Sequence, residues 1–133
     1  MNQIFADTFY YLALINPDDP AHLPAKETAV RLHVPMLTTA WVLAEVANYF
    51  ASARQRHYFL LLYERLRVDP DVRVVPPTEA LFDEGVAFYT RYRDKDWSLT
   101  DCISFLVMKE HGILEALTGD HHFEQAGFRI LLK

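Results

Sequence analysis

Four acidic residues stand at points where the predicted secondary structure changes or where an acid is unexpected. Asp7 and Asp120 each follow a short apolar run, Asp101 lies in the first turn of an apolar helix, and Glu45 lies inside another apolar helix. Carboxylates grouped at one site repel one another, and some stay protonated unless a cation joins them. Such oxygen ligands suit Mg²⁺ or Mn²⁺, which can activate water and stabilise charge on a phosphoryl group.

Each aspartate also has a purely structural interpretation. Asp7 is a potential N-cap of the helix that follows it, and Asp120 is a potential turn residue beside a glycine. Asp101 stands three residues after Ser98, which is the spacing of a capping box. Asp96 precedes the same helix in a charged turn, where aspartate is usually solvated. Taken one at a time, these acids favour the structural interpretation.

Glu45 leaves two interpretations open. It shares a helix face with Asn48, three residues further on, so the pair can form the one exposed stripe of this helix. Alternatively, Glu45 faces a site, because glutamate is almost never fully buried unless it is paired.

The elements that position these acids alternate between short apolar strands and helices. The predicted strands are residues 4–7, 36–38, 72–75, 114–118 and 128–132. The predicted helices are residues 9–15, 21–33, 40–53, 55–68, 78–93 and an apolar segment around 103–108. This alternation predicts an α/β sandwich around a mainly parallel sheet. Ligands bind such sheets beyond the carboxyl ends of the strands, so one edge can receive all four acids.

Composition limits the class of protein. The chain of 133 residues predicts one domain, residues 1–133, and the net charge of −5 argues against binding nucleic acid by bulk electrostatics alone. An acidic site whose metal ions reverse the local charge remains compatible with that balance. No apolar run is long enough to span a membrane, and no Lys or Arg precedes Lys26, which argues against a secretory signal. The single cysteine, Cys102, fits a reducing cytoplasm.

Other chemistries find less support in the sequence. It contains no P-loop, no GxGxxG and no GxSxG motif. His121 and His122 are adjacent, so on a loop they need not face one metal, and Cys102 lies in an apolar helix, as a small core residue does.

Four motifs, taken in order along essentially the whole chain, resemble those of PIN domains, and in particular the small VapC-type ribonucleases that act as toxins of toxin–antitoxin pairs. The motifs are Phe5-Ala6-Asp7-Thr8, Thr38-Thr39 followed by Glu45, Asp96-Trp97-Ser98-Leu99-Thr100-Asp101, and Leu117-Thr118-Gly119-Asp120-His121-His122-Phe123.

The resemblance implies a three-layer α/β sandwich with a central, mainly parallel five-stranded sheet of order 3-2-1-4-5 flanked by helices. It implies an acidic quartet for catalysis and metal binding, with Asp96 as a further acid and Thr118 as a hydroxyl near the site. The quartet maps to Asp7, Glu45, Asp101 and Asp120. It further implies Mg²⁺- or Mn²⁺-dependent cleavage of RNA by activated water, a cognate antitoxin, and a homodimer. Candidate RNA-binding residues are Arg54, Arg56, Arg91, Arg93 and Lys95.

Two alternatives stay open beside this prediction. One is a non-catalytic PIN-like module that binds RNA or protein. The other is a different Mg²⁺-dependent phosphoryl-transfer α/β protein. A haloacid-dehalogenase-like phosphatase has a second aspartate two residues after the first, whereas Phe9 stands there. A response-regulator receiver has paired acids after its first strand, whereas Asp7 stands alone.

Overall fold

In a computed structural model, which describes residues 2–133, five strands form one parallel sheet with seven helices around it. The strands are β1 (Ile4–Ala6), β2 (Met36–Thr39), β3 (Val72–Val75), β4 (Glu115–Leu117) and β5 (Arg129–Ile130). The helices are α1 (Thr8–Ile15), α2 (His22–Arg31), α3 (Ala40–Tyr49), α4 (Arg56–Val68), α5 (Glu79–Arg91), α6 (Leu99–Glu110) and α7 (His121–Gln125). The order is β3-β2-β1-β4-β5 and every neighbouring pair is parallel, which confirms the predicted sheet.

The strand order explains how the helices cover both faces. The chain moves from β1 to β2 to β3 in one direction, and from β3 across to β4 and β5 in the other. Because crossovers between parallel strands are right-handed, α1–α4 cover one face and α5–α7 cover the opposite face. The packing agrees, since α1 contacts α2 and α3, whereas α5 contacts α6. The order therefore reverses between β1 and β4, which is where such sheets bind ligands.

Strand β1 lies at the centre and is completely buried. Its pairing with β4 places Ala6 opposite Leu117, and the Asp7 N–H donates to the Leu117 carbonyl at 3.3 Å. Asp7 and Thr118 are the next residues of the two strands. They therefore leave the sheet side by side at its carboxyl edge.

Helix α6 carries a largely buried apolar face, as its sequence predicts. Trp97, just before the helix, packs edge-on against Phe105 with ring centroids 5.0 Å apart. The Trp97 Nε1–H also donates to Gln125 Oε1 at 2.9 Å, which ties the start of α6 to the end of α7. These contacts fix the first turn of α6 relative to the carboxyl edge of the sheet.

Several element boundaries differ from the prediction, and three of these differences bear on the fold. Helix α3 ends at Tyr49 rather than at residue 53, because the chain turns and the Arg56 Nε–H donates to the Ala51 carbonyl at 2.8 Å. The predicted strand 128–132 shortens to Arg129–Ile130, although the Leu132 N–H still donates to the Thr118 carbonyl at 3.1 Å. The segment after Asp120, predicted as a loop, forms the short helix α7.

The longest helices, α4 and α5, have 13 residues each. Within residues 2–133, no helix is both long enough and apolar enough to cross a membrane.

Candidate functional site

A cavity of about 330 Å³ opens at the carboxyl edge of the sheet. All four acids of the predicted quartet line it, and so does the exposed Asp96. The lining residues are Asp7, Thr8, Phe9, Glu45, Asp96, Ser98, Asp101, Asp120 and His122. Within the described part of the chain, no lysine or arginine lines this cavity. Acids that follow β1 and β4 and acids on α3 and α6 therefore meet at one strongly acidic site.

Asp7 is a buried acid, with 4% of its surface exposed. It stands at the N-cap position of α1, as the structural interpretation expects, but its carboxylate makes no capping hydrogen bond. Instead its Oδ2 accepts a hydrogen bond from the Thr118 hydroxyl at 2.9 Å. Burial and the charge of Asp101 raise the pKa of Asp7 from 3.8 to about 7, and the Thr118 hydrogen bond opposes this rise. The ionised form of Asp7 is therefore unfavourable at neutral pH when no cation is bound.

Asp101 combines the structural and the site-facing arrangements. The Ser98 Oγ accepts the Asp101 N–H at 3.0 Å, and Asp101 Oδ2 accepts the Ser98 N–H at 3.2 Å, which confirms the capping box. The same carboxylate lines the cavity. Burial raises the pKa of Asp101, the hydrogen bond from Ser98 lowers it, and the charge of Asp120 raises it again, leaving it above its usual range.

Asp120 is an N-cap rather than the predicted turn residue. Its Oδ1 accepts the backbone N–H of His122 at 2.9 Å, which starts α7. Its own N–H donates to the Thr118 hydroxyl oxygen at 3.1 Å. Thr118 therefore links Asp120 to Asp7, and the hydroxyl expected near the site is found there.

Glu45 is held toward the cavity by a neighbouring helix. The Thr8 hydroxyl donates to Glu45 Oε1 at 2.6 Å, and Glu45 is only partly exposed. Asn48, in contrast, is exposed and does not line the cavity. The two residues do not form a common solvent stripe, so the structure favours the site-facing interpretation of Glu45.

The carboxylates follow a shared pattern of hydrogen bonding. In Glu45, Asp101 and Asp120 one oxygen accepts from a protein donor, and the other oxygen has no donor among residues 2–133. These fixed carboxylates with open oxygens form a donor set that fits a hard divalent cation, and such a cation would offset their mutual repulsion. The side chains present therefore suit Mg²⁺ or Mn²⁺.

Sequence reasoning assigned no site role to Thr8, Phe9 or His122, which also line the cavity. The structure separates the two adjacent histidines: His122 lines the cavity, whereas His121 has 70% of its side chain exposed. Side-chain atoms of Asp120, His121 and His122 lie within 4.8 Å of one another, but of the two histidines only His122 faces the acidic cavity. No helix was predicted after Asp120, and it is this helix that orients the two histidine rings differently.

The basic residues considered for RNA binding lie elsewhere. All five are exposed, and none lines the cavity; they are Arg54, Arg56, Arg91, Arg93 and Lys95.

Comparison with known proteins gives a family and close structural relatives. The sequence model of the PIN domain family matches residues 4–129 of this chain. The 23S rRNA-specific endonuclease VapC20 of Mycobacterium tuberculosis is 30% identical over 125 residues, which cover 94% of this chain and 95% of that protein.

Solved structures agree with this match. The crystal structure of Mycobacterium tuberculosis VapC20, described as a Sarcin-Ricin loop cleaving toxin, superposes with a TM-score of 0.85 at 28% identity, covering 94% of this chain and 95% of that chain. The fold is also that of FitAcB from Neisseria gonorrhoeae, with a TM-score of 0.63, 20% identity and 96% of both chains covered. A sequence match over nearly the whole chain, the sheet order and the acidic edge agree: this chain belongs to the PIN domain family.

Proposed function

We propose that this protein is an endoribonuclease that hydrolyses RNA phosphodiester bonds with Mg²⁺ or Mn²⁺ bound at the acidic cavity. In this proposal Asp7, Asp101 and Asp120 hold the metal directly or through water, and Glu45 completes the site or orients the attacking water. Asp96, at the exposed rim, is a further acid that can reach a hydrated ion.

One observation carries the proposal: the ends of separate strands and helices bring four carboxylates to one cavity that, within residues 2–133, no lysine or arginine lines. Burial and a neighbouring acid raise the pKa of Asp7 to about 7, so the metal-free site is electrostatically unfavourable. A folded protein retains such a cluster most readily where a cation is its partner. That requirement, together with the relative named as an rRNA endonuclease, supports metal-dependent RNA hydrolysis.

Each residue has a defined part in this chemistry. A divalent ion, when bound, lowers the pKa of a coordinated water and stabilises charge on the phosphate. The Thr118 hydroxyl and the Ser98 N–H each engage one carboxylate oxygen, of Asp7 and Asp101, and so limit rotation of the ligands. The Thr8 hydroxyl likewise donates to Glu45 Oε1 and limits rotation of that carboxylate. The other oxygen of Glu45 can accept a proton from water.

The alternatives fit the structure less well. A response-regulator receiver has the sheet order 2-1-3-4-5, whereas this sheet has the order 3-2-1-4-5. For the phosphatase alternative, Phe9 occupies the position of the second acid. A non-catalytic module finds less support, because all four acids of the quartet are present in the cavity.

The physiological setting extends the proposal. Because the relative VapC20 is described as a toxin, we expect this protein to be the toxin of a toxin–antitoxin pair, to act on RNA in the cytoplasm, and to bind a cognate antitoxin. Exposed apolar side chains on α4 and α5 offer area for an antitoxin and for a homodimer. They include Leu60, Leu61, Val68, Phe82, Val86 and Tyr89.

The direct test is RNA cleavage under controlled metal. Purified protein is incubated with ribosomes and with a 23S rRNA fragment that contains the Sarcin-Ricin loop, the substrate of the relative. We expect cleavage with Mg²⁺ or Mn²⁺ and none after chelation. Equal cleavage in both conditions, or cleavage that persists in the Asp7→Asn variant, would assign the activity to a contaminant or to another mechanism.

Cleavage of other RNAs but not of rRNA would retain the chemistry and change the substrate. Binding of metal without cleavage of any RNA would instead favour the non-catalytic module. Mapping of the cut ends by primer extension distinguishes a single site from general degradation.

A further inference from the structure

His122 touches two of the four acids at once. Its Nδ1 lies 3.2 Å from Asp101 Oδ2 and 3.4 Å from Asp120 Oδ1. Its backbone N–H donates to the same Asp120 oxygen at 2.9 Å. The residue therefore joins the acid in the first turn of α6 to the acid that caps α7, and it does so from within the cavity lining.

The chemistry of the contact indicates which ring nitrogen carries a proton when both carboxylates are ionised. Both neighbours of Nδ1 are carboxylate oxygens, which only accept hydrogen bonds when ionised. The contact is favourable only if Nδ1 is an N–H donor, and this holds for the neutral ring as well as for the charged one. Nε2 then takes no part in the contacts with Asp101 and Asp120.

The hydrogen bond has a geometric consequence for Asp101. Its Oδ2 receives both the Ser98 N–H, at 3.2 Å, and the His122 Nδ1–H, also at 3.2 Å. Two donors on one oxygen fix the rotation of the carboxylate and leave Oδ1 open to a ligand. The same N–H dipole lies between Asp101 and Asp120, whose like charges repel each other.

We propose that His122 is a positioning residue, which holds Asp101 and Asp120 in the arrangement that binds the metal through its Nδ1–H. This inference rests on the proposed function, because it concerns the same acids. It assigns His122 no contact with the metal or the RNA. Groups that orient metal ligands by hydrogen bonds commonly change metal affinity or activity by about 10- to 100-fold when they are removed.

His121 supplies a matched control. It is the same residue type, adjacent in sequence and on the same short helix, but its side chain is 70% exposed and its Nδ1 lies 3.7 Å from Asp120 Oδ1. Its replacement should leave the geometry of Asp101 unchanged. A general effect of losing one imidazole near the acids would appear in both variants, whereas a positioning effect would appear only at His122.

Asparagine and glutamine separate the two ring nitrogens. In His122→Asn the side-chain amide places an N–H donor near the position of Nδ1, whereas in His122→Gln the amide reaches the position of Nε2. The pair keeps a polar side chain in place, so it remains informative if His122→Ala unfolds.

The experiment measures Mn²⁺ and Mg²⁺ affinity by calorimetry without RNA, and kcat and KM for RNA cleavage separately. We expect His122→Ala and His122→Gln to weaken the binding of both metals by about 10- to 100-fold. We expect His122→Asn to recover most of that loss, and His121→Ala to bind metal like the parent. At saturating metal, kcat of His122→Asn should approach the parental value.

Four results would overturn the inference. Parental metal affinity in His122→Ala and His122→Gln would remove the positioning role. An Asn variant as impaired as the Gln variant would show that Nδ1–H is not the active group. A selective loss of Mn²⁺ over Mg²⁺ affinity, with a nitrogen coupling in the electron spin echo of bound Mn²⁺, would make His122 a direct ligand. A parent protein that binds neither metal would refute the proposed function itself, and the positioning role with it.

Discussion

The Thr118 hydroxyl donates a hydrogen bond to Asp7 Oδ2 at 2.9 Å, joining residues 111 positions apart in the sequence. The same hydroxyl oxygen accepts the Asp120 N–H at 3.1 Å. Thr118 is completely buried and lies directly after β4, beside the end of β1. One side chain therefore fixes the most buried acid of the cavity and the backbone that presents Asp120.

Replacing Thr118 by valine removes both of these hydrogen bonds with little change in shape. Leaving buried polar partners unsatisfied costs about 1–3 kcal/mol, so we expect the free energy of unfolding to fall by that amount. The pKa of Asp7 should rise further, because the Thr118 hydrogen bond lowers it. Urea unfolding of the metal-free protein measures the loss. Thr118→Ser keeps the hydroxyl and is the control; a valine variant as stable as the parent would show that the two hydrogen bonds contribute no net stability.

The metal-free protein should lose stability as the pH rises toward neutrality. Asp7 has a pKa of 3.8 when unfolded and about 7 when folded, so the folded state binds the proton more tightly. Its contribution is fully present below about pH 4 and is lost by about pH 7, because the unfolded state binds fewer protons in that interval. One pKa unit corresponds to about 1.4 kcal/mol, so the change is on the order of a few kcal/mol.

Asp7→Asn isolates this contribution. With a chelator present, the stability gained by the variant over the parent should grow across that pH interval and then level off. Saturating Mg²⁺ should reduce the difference, because a ligand that binds only the folded parent stabilises it. A stability difference that is independent of pH would show that Asp7 titrates at its ordinary pKa.

Glu45→Gln should abolish RNA cleavage while leaving α3 intact. Glutamine has a similar shape and helix propensity, and its oxygen can still accept the Thr8 hydroxyl. A neutral amide, however, cannot take a proton from water or bind a hard dication well. Cleavage rates and thermal melting measure the two effects. Glu64→Gln, on the exposed side of α4, is the control and should cut RNA like the parent; a fully active Glu45→Gln would remove Glu45 from the site.

Asp101→Asn should separate the cap from the metal site. The asparagine oxygen can still accept the Ser98 N–H, so we expect melting close to that of the parent, or higher in the metal-free protein as repulsion is relieved. Cleavage should fall by orders of magnitude, because an amide is a poor ligand for Mg²⁺.

A cap remote from the cavity provides the comparison for Asp101. The Thr78 hydroxyl accepts the Leu81 N–H at 3.1 Å at the exposed start of α5. Thr78→Ala should cost about 0.5–2 kcal/mol of stability and leave cleavage unchanged. An Asp101→Asn protein that resembles Thr78→Ala, less stable but fully active, would reduce Asp101 to a capping residue.

The sequence predicted the elements that carry strong local signals. The apolar runs that become β1 and β4 stop at Asp7 and Gly119, and the spacing of Ser98 and Asp101 predicted the capping box. The order of the strands followed from resemblance to a family, because no local pattern specifies which strands pair.

Residues that depend on tertiary contacts were harder to predict. Helix α7 has five residues and no apolar period, and it begins with the Asp120 cap, whose own N–H donates to the Thr118 hydroxyl oxygen. The Thr8 to Glu45 contact spans 37 positions, so spacing along the chain could not predict it. For the same reason the contribution of His122 became visible only once α6 and α7 had been placed side by side.

The distance in sequence between Asp7 and Thr118 also bears on biosynthesis. Closing a loop of that length costs chain entropy before the hydrogen bond between Asp7 and Thr118 can stabilise the closed state. We therefore expect the two ends to join late in folding. A nascent chain that stops before β4 lacks Thr118, Asp120 and the central strand pairing of β1 with β4. The ribosome making this protein would thus carry an incomplete acidic cluster until Thr118 and Asp120 have been translated and have emerged.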